Sequence, residues 1–324
     1  MNKREPLVSI IVPIYGVESH IARCAHSLFS QTYSNVEYVF VNDCTKDDSM
    51  KVLAEVMAVY PERQKNCRIV GHEVNQGLAA ARYTGIRYVT GEYVMHVDSD
   101  DYLEHEAVSI LVDKAVEDES DIVIGGSYSV FPTERVVNAS YPHCDKDTLL
   151  LMLLHMRVSP SVWGKLYSSR LYDSENDTLP LPGVNHGEDF ATVPRLVHYA
   201  HKISYVDEPL YNYVQFNAES YSKNYNERSM RDMVKAAEKL SSFFKGRIAD
   251  EMIDLCKLRV KLSMYKYMNV ALYDEIRALF PEESGKAGNL LSVPDRILMI
   301  LAGLRMYRSA VLFIKLGFKI RGIR

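Results

Sequence analysis

The stretch GEYVMHVDSDD, residues 91–101, decides how the chain is read. Tyr93 to Val97 has the short, apolar, β-favouring character of a buried strand, and it runs directly into Asp98, Ser99, Asp100 and Asp101. Three carboxylates within four residues at a strand end repel one another. The usual compensation is a divalent cation, and hard oxygen ligands suit Mg²⁺ or Mn²⁺. In open α/β sheets ligands bind beyond the carboxyl ends of the strands, so an acidic run in this place predicts a site if other strands stand beside it.

Working outward, such strands are found. Val8 to Ile14, Val36 to Val41, Arg68 to Val70 and Ile122 to Ile124 are short β-rich runs. Between them apolar residues recur at helical spacing: Ile21, Cys24, Ala25, Leu28 and Phe29; Val52, Leu53, Val56 and Val59; Leu78 to Val89; Val108 to Val116. Strands separated by helices of this length predict an α/β fold with a mainly parallel sheet and helices on both faces. From Phe131 to Ser222 prolines and short aromatic segments read as loops and edge strands that complete a site. Beyond Glu227 the pattern is helical, through Met230 to Phe244 and Ala249 to Leu279, with a break around Pro281, Ser284, Gly285 and Gly288 before a helical tail. Two domains are expected, residues 1–222 and a helical region over 223–324.

Composition narrows the class. With 324 residues, 47% hydrophobic and 25% charged, the chain can bury a full core and is not a disordered protein. A net charge of −4 speaks against general nucleic-acid binding. The five cysteines are scattered and never in a C-x-x-C pair, which fits a reducing compartment better than a disulfide frame or zinc site. The N-terminal MNKREPLVSIIVPIY reads as a cytoplasmic start leading into a strand, and no apolar run is long enough to span a membrane.

The other strand ends carry candidates too. Pro13, Ile14 and Tyr15 follow the first strand, and Asn42 and Asp43 follow the second. Asp43 alone also reads as a turn aspartate. Asp101 alone also reads as a cap for the next helix.

VSIIVPIYG at 8–16, FVNDCTKDDS at 40–49, NQGLAAARYTGI at 75–86, GEYVMHVDSDD at 91–101 and HGEDF at 186–190 occur in the order and spacing that resemble family 2 glycosyltransferases of the GT-A fold. VWGKLY at 162–167 and EPLYNYVQFNAESYS at 208–222 further resemble bacterial capsule, exopolysaccharide and O-antigen transferases. The resemblance implies that Pro13 and Tyr15 flank a nucleotide base and that Asp43 accepts a hydrogen bond from the uracil ring N–H. It makes Asp98 and Asp100 the D-x-D pair, Asp98 toward the ribose and Asp100 on the metal. Asn75, Gly77 and Arg82 would line the nucleotide and phosphate pocket, with Arg82 as a charge partner whose alternative is an acid-paired arginine. Asp189, beside Glu188, would be the base that deprotonates the acceptor hydroxyl. The implied reaction is metal-dependent, inverting transfer from a nucleotide sugar, UDP-linked by this reading, to a glycan or lipid-linked acceptor.

Departures from the family pattern are visible. Asn42-Asp43-Cys44-Thr45 stands where Asp-Asp-Gly-Ser is common, Tyr83 where asparagine is common, and His105 where proline is common. His186, Trp163 and Lys165 are each read either as donor contacts or as ordinary loop and core residues.

The tail from Pro294 holds seven basic residues, Arg296, Arg305, Arg308, Lys315, Lys319, Arg321 and Arg324, against one acid, Asp295. As one helix it would place Arg305, Arg308, Lys315 and Lys319 on one side and Met299, Met306, Tyr307, Ala310, Phe313 and Ile314 on the other. Leu301, Leu304, Leu312 and Leu316 fall toward the basic side. This reads as an interfacial helix on an anionic leaflet, on the inner face of the cell membrane, with packing on the protein or a second subunit as the alternative. For the whole chain, the competing readings are a sugar nucleotidyltransferase, which should carry a glycine- and base-rich phosphate loop after the first strand, and a degenerate glycan-binding module. An aspartyl phosphatase would need its D-x-D after the first strand instead.

Overall fold

The computed structural model describes residues 4–216, 225–281 and 286–320. Asn217 to Ser222, Ser284, Gly285, Arg321 and Arg324 lie outside them. In chain order the described elements are β1 (Val8–Ile14), α1 (Ile21–Phe29), β2 (Val36–Asn42), α2 (Ser49–Val59), α3 (Pro61–Gln64), β3 (Cys67–Gly71), α4 (Leu78–Ile86), β4 (Tyr93–His96), β5 (Tyr102–Leu103), α5 (Ala107–Asp118), β6 (Ile122–Val130), β7 (Arg135–Val137), α6 (Lys146–Leu154), β8 (Lys165–Ser168), α7 (Glu188–Tyr199), β9 (Ile203–Val214), α8 (Glu227–Phe244), α9 (Asp250–Tyr267), α10 (Tyr273–Ala278), α11 (Val293–Gly303) and α12 (Tyr307–Ile320). They form two compact units, Met1–Leu150 with Pro160–Glu219, and Leu151–Ser159 with Ser220–Arg324.

The first unit is an α/β sheet in the order β3-β2-β1-β4-β8-β6-β9-β5, with β7 on β6. From β3 to β4 the pairing is parallel. Beyond β4 the sheet is mixed: β8 runs antiparallel to both neighbours, while β6 and β9 are parallel. The parallel reading therefore holds for the half whose strands alternate with helices, and it ends where short strands in the proline-rich segment enter by loops. Alternation along β1 and β2 sorts the core. Val8, Ile10, Val12, Ile14, Tyr38 and Phe40 pack with residues of α1, α2 and α5 on one face. Ile11, Val39 and Val41 pack with Ala81 and Ile86 of α4 on the other. Gly85 allows that second contact to be close, since a Cβ there would sit 2.4 Å from Ile11 Cγ2. The carboxyl ends of β1, β2 and β4 thus come together at one edge, where strand order reverses about β1.

The second unit is helical. Asn226 caps α8 by accepting from Arg228 N and Ser229 N, and Met230, Met233, Ala236, Ala237 and Leu240 form its buried face. The helical stretch expected over Ala249 to Leu279 breaks after Tyr267, where the Asn269 side chain accepts from Ala271 N and starts a tight turn leading into α10. The tail is likewise two helices: after α11 the backbone takes a left-handed step at Arg305, φ 58°, before α12 begins. One side of the tail is packed. Asp295 accepts from Arg259 Nη1 at 2.6 Å and Lys266 Nζ at 2.8 Å, Leu298, Ala302 and Ala310 are buried, and Tyr307 Oη donates to Asp274 at 2.7 Å. As the helical projection expected, Ala310 lies on the side away from the bases, and Leu304, Leu312 and Leu316 are exposed with them; Met306, expected with Ala310, is exposed as well.

Candidate functional site

Asp43 ends β2 buried, and four donors meet its carboxylate. Oδ1 accepts from Gln76 N at 2.8 Å and is 2.7 Å from His72 Nδ1; Oδ2 accepts from Gly77 N at 2.7 Å and Asn75 Nδ2 at 3.0 Å. His72 Nε2 is in turn 2.9 Å from Thr84 Oγ1 on α4. A carboxylate offers about four lone-pair positions, so Asp43 organises the whole 72–77 loop and a base N–H would have to share or displace one of these donors. The loop ends at Gly77, φ 90°, where a Cβ would overlap the Asn185 side chain. Asn185 Oδ1 uses that gap to accept from Ala79 N in the first turn of α4.

The departures noted in the sequence acquire reasons. Asn42 needs only to accept a bond from Thr45 N, 2.9 Å away, which an amide does as well as a carboxylate. Cys44 occupies the left-handed region, φ 58°, where glycine is the usual choice. Beside this loop Pro13 is buried at the end of β1, and Tyr15 projects from it 47% exposed.

Arg82 on α4 is 3% exposed, and its guanidinium gathers acids from two distant parts of the sequence. Nη2 donates to Asp98 Oδ1 at 2.7 Å; Nη1 donates to Glu188 Oε1 at 2.6 Å and to Asp189 Oδ1 at 2.7 Å. Both terminal nitrogens of the guanidinium are thus paired with carboxylates. Burial alone would pull it down, but Asp189, Asp98 and Glu188 outweigh that and hold it protonated well above its usual range. Three acids around one buried cation leave an excess of negative charge on carboxylates that are themselves half-buried. Burial and the neighbouring Asp189 push the Glu188 carboxyl up to about 8, and burial also raises Asp189. Asp189 Oδ2 takes a further bond from Val162 N, 3.0 Å away in the VWGKLY segment.

The run after β4 separates into different duties. Asp101 is fully buried and caps nothing: it accepts from Tyr211 Oη at 2.7 Å and Val214 N at 2.8 Å, tying β9 beneath the loop. Tyr211 Oη also accepts from Asp98 N at 3.1 Å. Trp163 stacks on Tyr211 and Tyr213, with ring centroids 4.6 and 5.0 Å away. Lys165 is buried and donates to Ser161, and its charge acts against the rise of the Asp189 carboxyl.

With Asp101 turned inward and Asp98 held by Arg82, Asp100 is the remaining carboxylate of the run. Among the described residues no group of three His, Cys, Asp or Glu side chains could hold a metal ion. A strand-end carboxylate fits a hard divalent cation that keeps water and substrate phosphate as its other ligands, the habit of Mg²⁺ in nucleotide enzymes. The site therefore brings Asp98 together with Glu188 and Asp189 through Arg82, and holds Asp43, Asn75 and Gly77 in one adjoining loop. His72, Asn185 and Tyr211 were not singled out from the sequence. The glycine at 77 and the tyrosines in the 208–222 segment were the available signals for the last two.

The model of glycosyl transferase family 2 matches residues 9–179, just over half of the chain. Over 241 residues the chain is 32% identical to glycosyltransferase GlyA of Streptococcus pneumoniae serotype 4, covering 71% of this chain and 33% of GlyA. Over 215 residues it is 33% identical to the uncharacterized glycosyltransferase EpsJ of Bacillus subtilis strain 168, covering 64% of this chain and 61% of EpsJ. The chain thus spans a third to three-fifths of the length of these relatives. S. aureus TarS residues 1–349, in complex with UDP-GlcNAc, has the same fold, with a TM-score of 0.76 at 20% identity over 96% of this chain and 92% of that one. The five motifs, the α/β sheet and these matches lead to one assignment: the chain belongs to glycosyl transferase family 2 and has the GT-A fold.

Proposed function

We propose that this glycosyltransferase moves a sugar from a UDP-sugar to a glycan or lipid-linked acceptor in surface polysaccharide synthesis, with inversion and with the help of a divalent cation. The observation that carries the reading is the meeting of Asp98 and Asp189 on the single buried guanidinium of Arg82. It sets a donor-side acid and an acceptor-side acid a fixed distance apart across one side chain.

In this reading the uridine lies against the loop held by Asp43, with Pro13 and Tyr15 beside the base and Asn75 and Gly77 along the nucleotide. Asp98 addresses the ribose and Asp100 is the principal metal ligand. A bound Mg²⁺ or Mn²⁺ would neutralise charge on the departing diphosphate. Asp189 takes the proton from the acceptor hydroxyl as that oxygen attacks the anomeric carbon. The new C–O bond forms on the face opposite the leaving group, the bond to the diphosphate breaks with its electron pair, and an α-linked donor yields a β-linkage. Glu188 shares the same guanidinium, and burial and the neighbouring Asp189 push its carboxyl up to about 8. The fold shared with TarS, which binds UDP-GlcNAc, supports UDP as the donor nucleotide. The phosphate loop that a nucleotidyltransferase needs after β1 has no counterpart in the segment Tyr15 to Ile21, which instead donates Gly16 N and Val17 N to Thr45 and Ser49.

The test is hydrolysis of a panel of sugar nucleotides with Mg²⁺ or Mn²⁺, since slow hydrolysis needs no acceptor. UDP-sugars should be consumed and chelation should stop it. Consumption of nucleoside triphosphates alone would contradict the reading.

A further inference from the structure

We propose that the outward sides of α11 and α12 form a docking surface for an anionic lipid bilayer. Along α11, Val293, Ile297, Ile300 and Leu304 are exposed by 60%, 39%, 59% and 66%, and their four-three-four spacing makes them one stripe. They lie opposite Asp295, Leu298 and Ala302, which pack inward. On α12 the outward side is mixed: Leu312 and Leu316 are 60% and 51% exposed, and Arg308, Lys315 and Lys319 fall among them at helical spacing. Six large aliphatic side chains held outward on two successive helices exceed the scattered exposure expected of an ordinary surface.

Charge identifies the occupant. Asp295, the only acid of this segment, is turned inward onto Arg259 and Lys266. Arg296, Arg308, Lys315 and Lys319 are exposed, and none forms an ion pair with another described residue. A second copy docked face to face would set these bases against their own equivalents. A bilayer with acidic headgroups matches both halves of the surface: the headgroups meet the bases, whose long stems let the charges stay at the interface, while the aliphatic side chains reach the acyl boundary. No helix is long and apolar enough among the described residues to cross the membrane, so this contact lies on it.

The proposal deepens the reading of a lipid-linked acceptor, and it is measured apart from sugar transfer. The full chain is sedimented with vesicles of phosphatidylcholine alone or mixed with phosphatidylglycerol. Binding is expected only with the mixture, weakening as salt rises, and each base removed should weaken it about fivefold. The double variant Arg308→Glu, Lys315→Glu should lose binding. Ile300→Ser, Leu312→Ser, on fully surface-facing residues, should reduce it while leaving the salt dependence. UDP-sugar hydrolysis without vesicles is read on the same samples and should be unchanged, so failure of the donor reading shows separately. Equal binding to neutral vesicles, or variants that bind like the parent, would overturn the proposal. So would self-association that the serine variant dissolves, since a second copy would then be the occupant.

Discussion

Arg82 Nη1 lies 2.7 Å from Asp189 Oδ1, joining residues 107 positions apart and fixing the start of α7 against α4. The same guanidinium reaches Asp98 and Glu188, so it neutralises part of a buried acidic cluster that no other described side chain is seen to pair with. Removing it leaves three half-buried carboxylates without their shared cation. Arg82→Met should destabilise the protein by about 3–5 kcal/mol, the usual cost of breaking a buried ion pair from one side. Urea unfolding followed by far-ultraviolet circular dichroism measures it. A near-neutral change would mean that the acids do not depend on Arg82.

Glu188 makes stability depend on pH. Its folded pKa is raised to about 8, while an exposed glutamate titrates near about 4.3. Between those values the native state binds a proton that the unfolded state has lost, so stability falls as pH rises through the window. Glu188→Gln removes that term. The variant should therefore gain on the parent in thermal melts as pH is raised from about 5 to 8, with Asp189, also raised, leaving a smaller slope in both. Parallel melting curves would contradict the shared-proton picture.

Cys44 holds a left-handed backbone that costs an L residue roughly 1–2 kcal/mol and glycine nothing. Glycine loses about 0.5–1 kcal/mol through unfolded-chain entropy, so Cys44→Gly should stabilise by about 0.5–1 kcal/mol. Denaturant midpoints at matched slope test this. A clear loss would show that the contact from Cys44 Sγ to Glu73 O outweighs the backbone term.

Asp100→Ala should abolish metal-dependent binding of UDP, because Asp101 is anchored on Tyr211 and Val214 and is not available to replace it. Calorimetry with and without Mn²⁺ reads the effect. Unchanged metal-dependent affinity in a folded variant would remove Asp100 from the metal.

How much of the fold and site is legible in the sequence depends on the range over which each feature is encoded. β1, β2, β4 and the helices between them were readable because periodicity and strand-end acids are local signals. The antiparallel entry of β8 was not, since a four-residue strand in a proline-rich segment does not declare its neighbour. Asn185 escaped for a similar reason: its work is done at the N-terminus of α4, 106 residues earlier, and only the bare Gly77 hinted at the space. Asp43 was legible as a strand-end acid, but its four donors were not, because all come from the 72–77 loop, whose shape depends on that carboxylate. In the tail the bases and the leucines beside them were readable from periodicity, but the break into two helices at the left-handed Arg305 was not, since no glycine or proline marks that position.

The most direct measurement is sugar transfer by Asp189→Asn, with UDP-sugar affinity determined on the same preparation. Asparagine keeps the size of the side chain and an oxygen for Arg82 but cannot take the acceptor proton. Transfer should fall by about 10²–10⁴-fold, the usual worth of a positioned base, while donor affinity changes little and Glu188→Gln is the milder change. Near-normal transfer by a folded Asp189→Asn variant, to an acceptor that the parent uses, would contradict the assignment of Asp189 as the base.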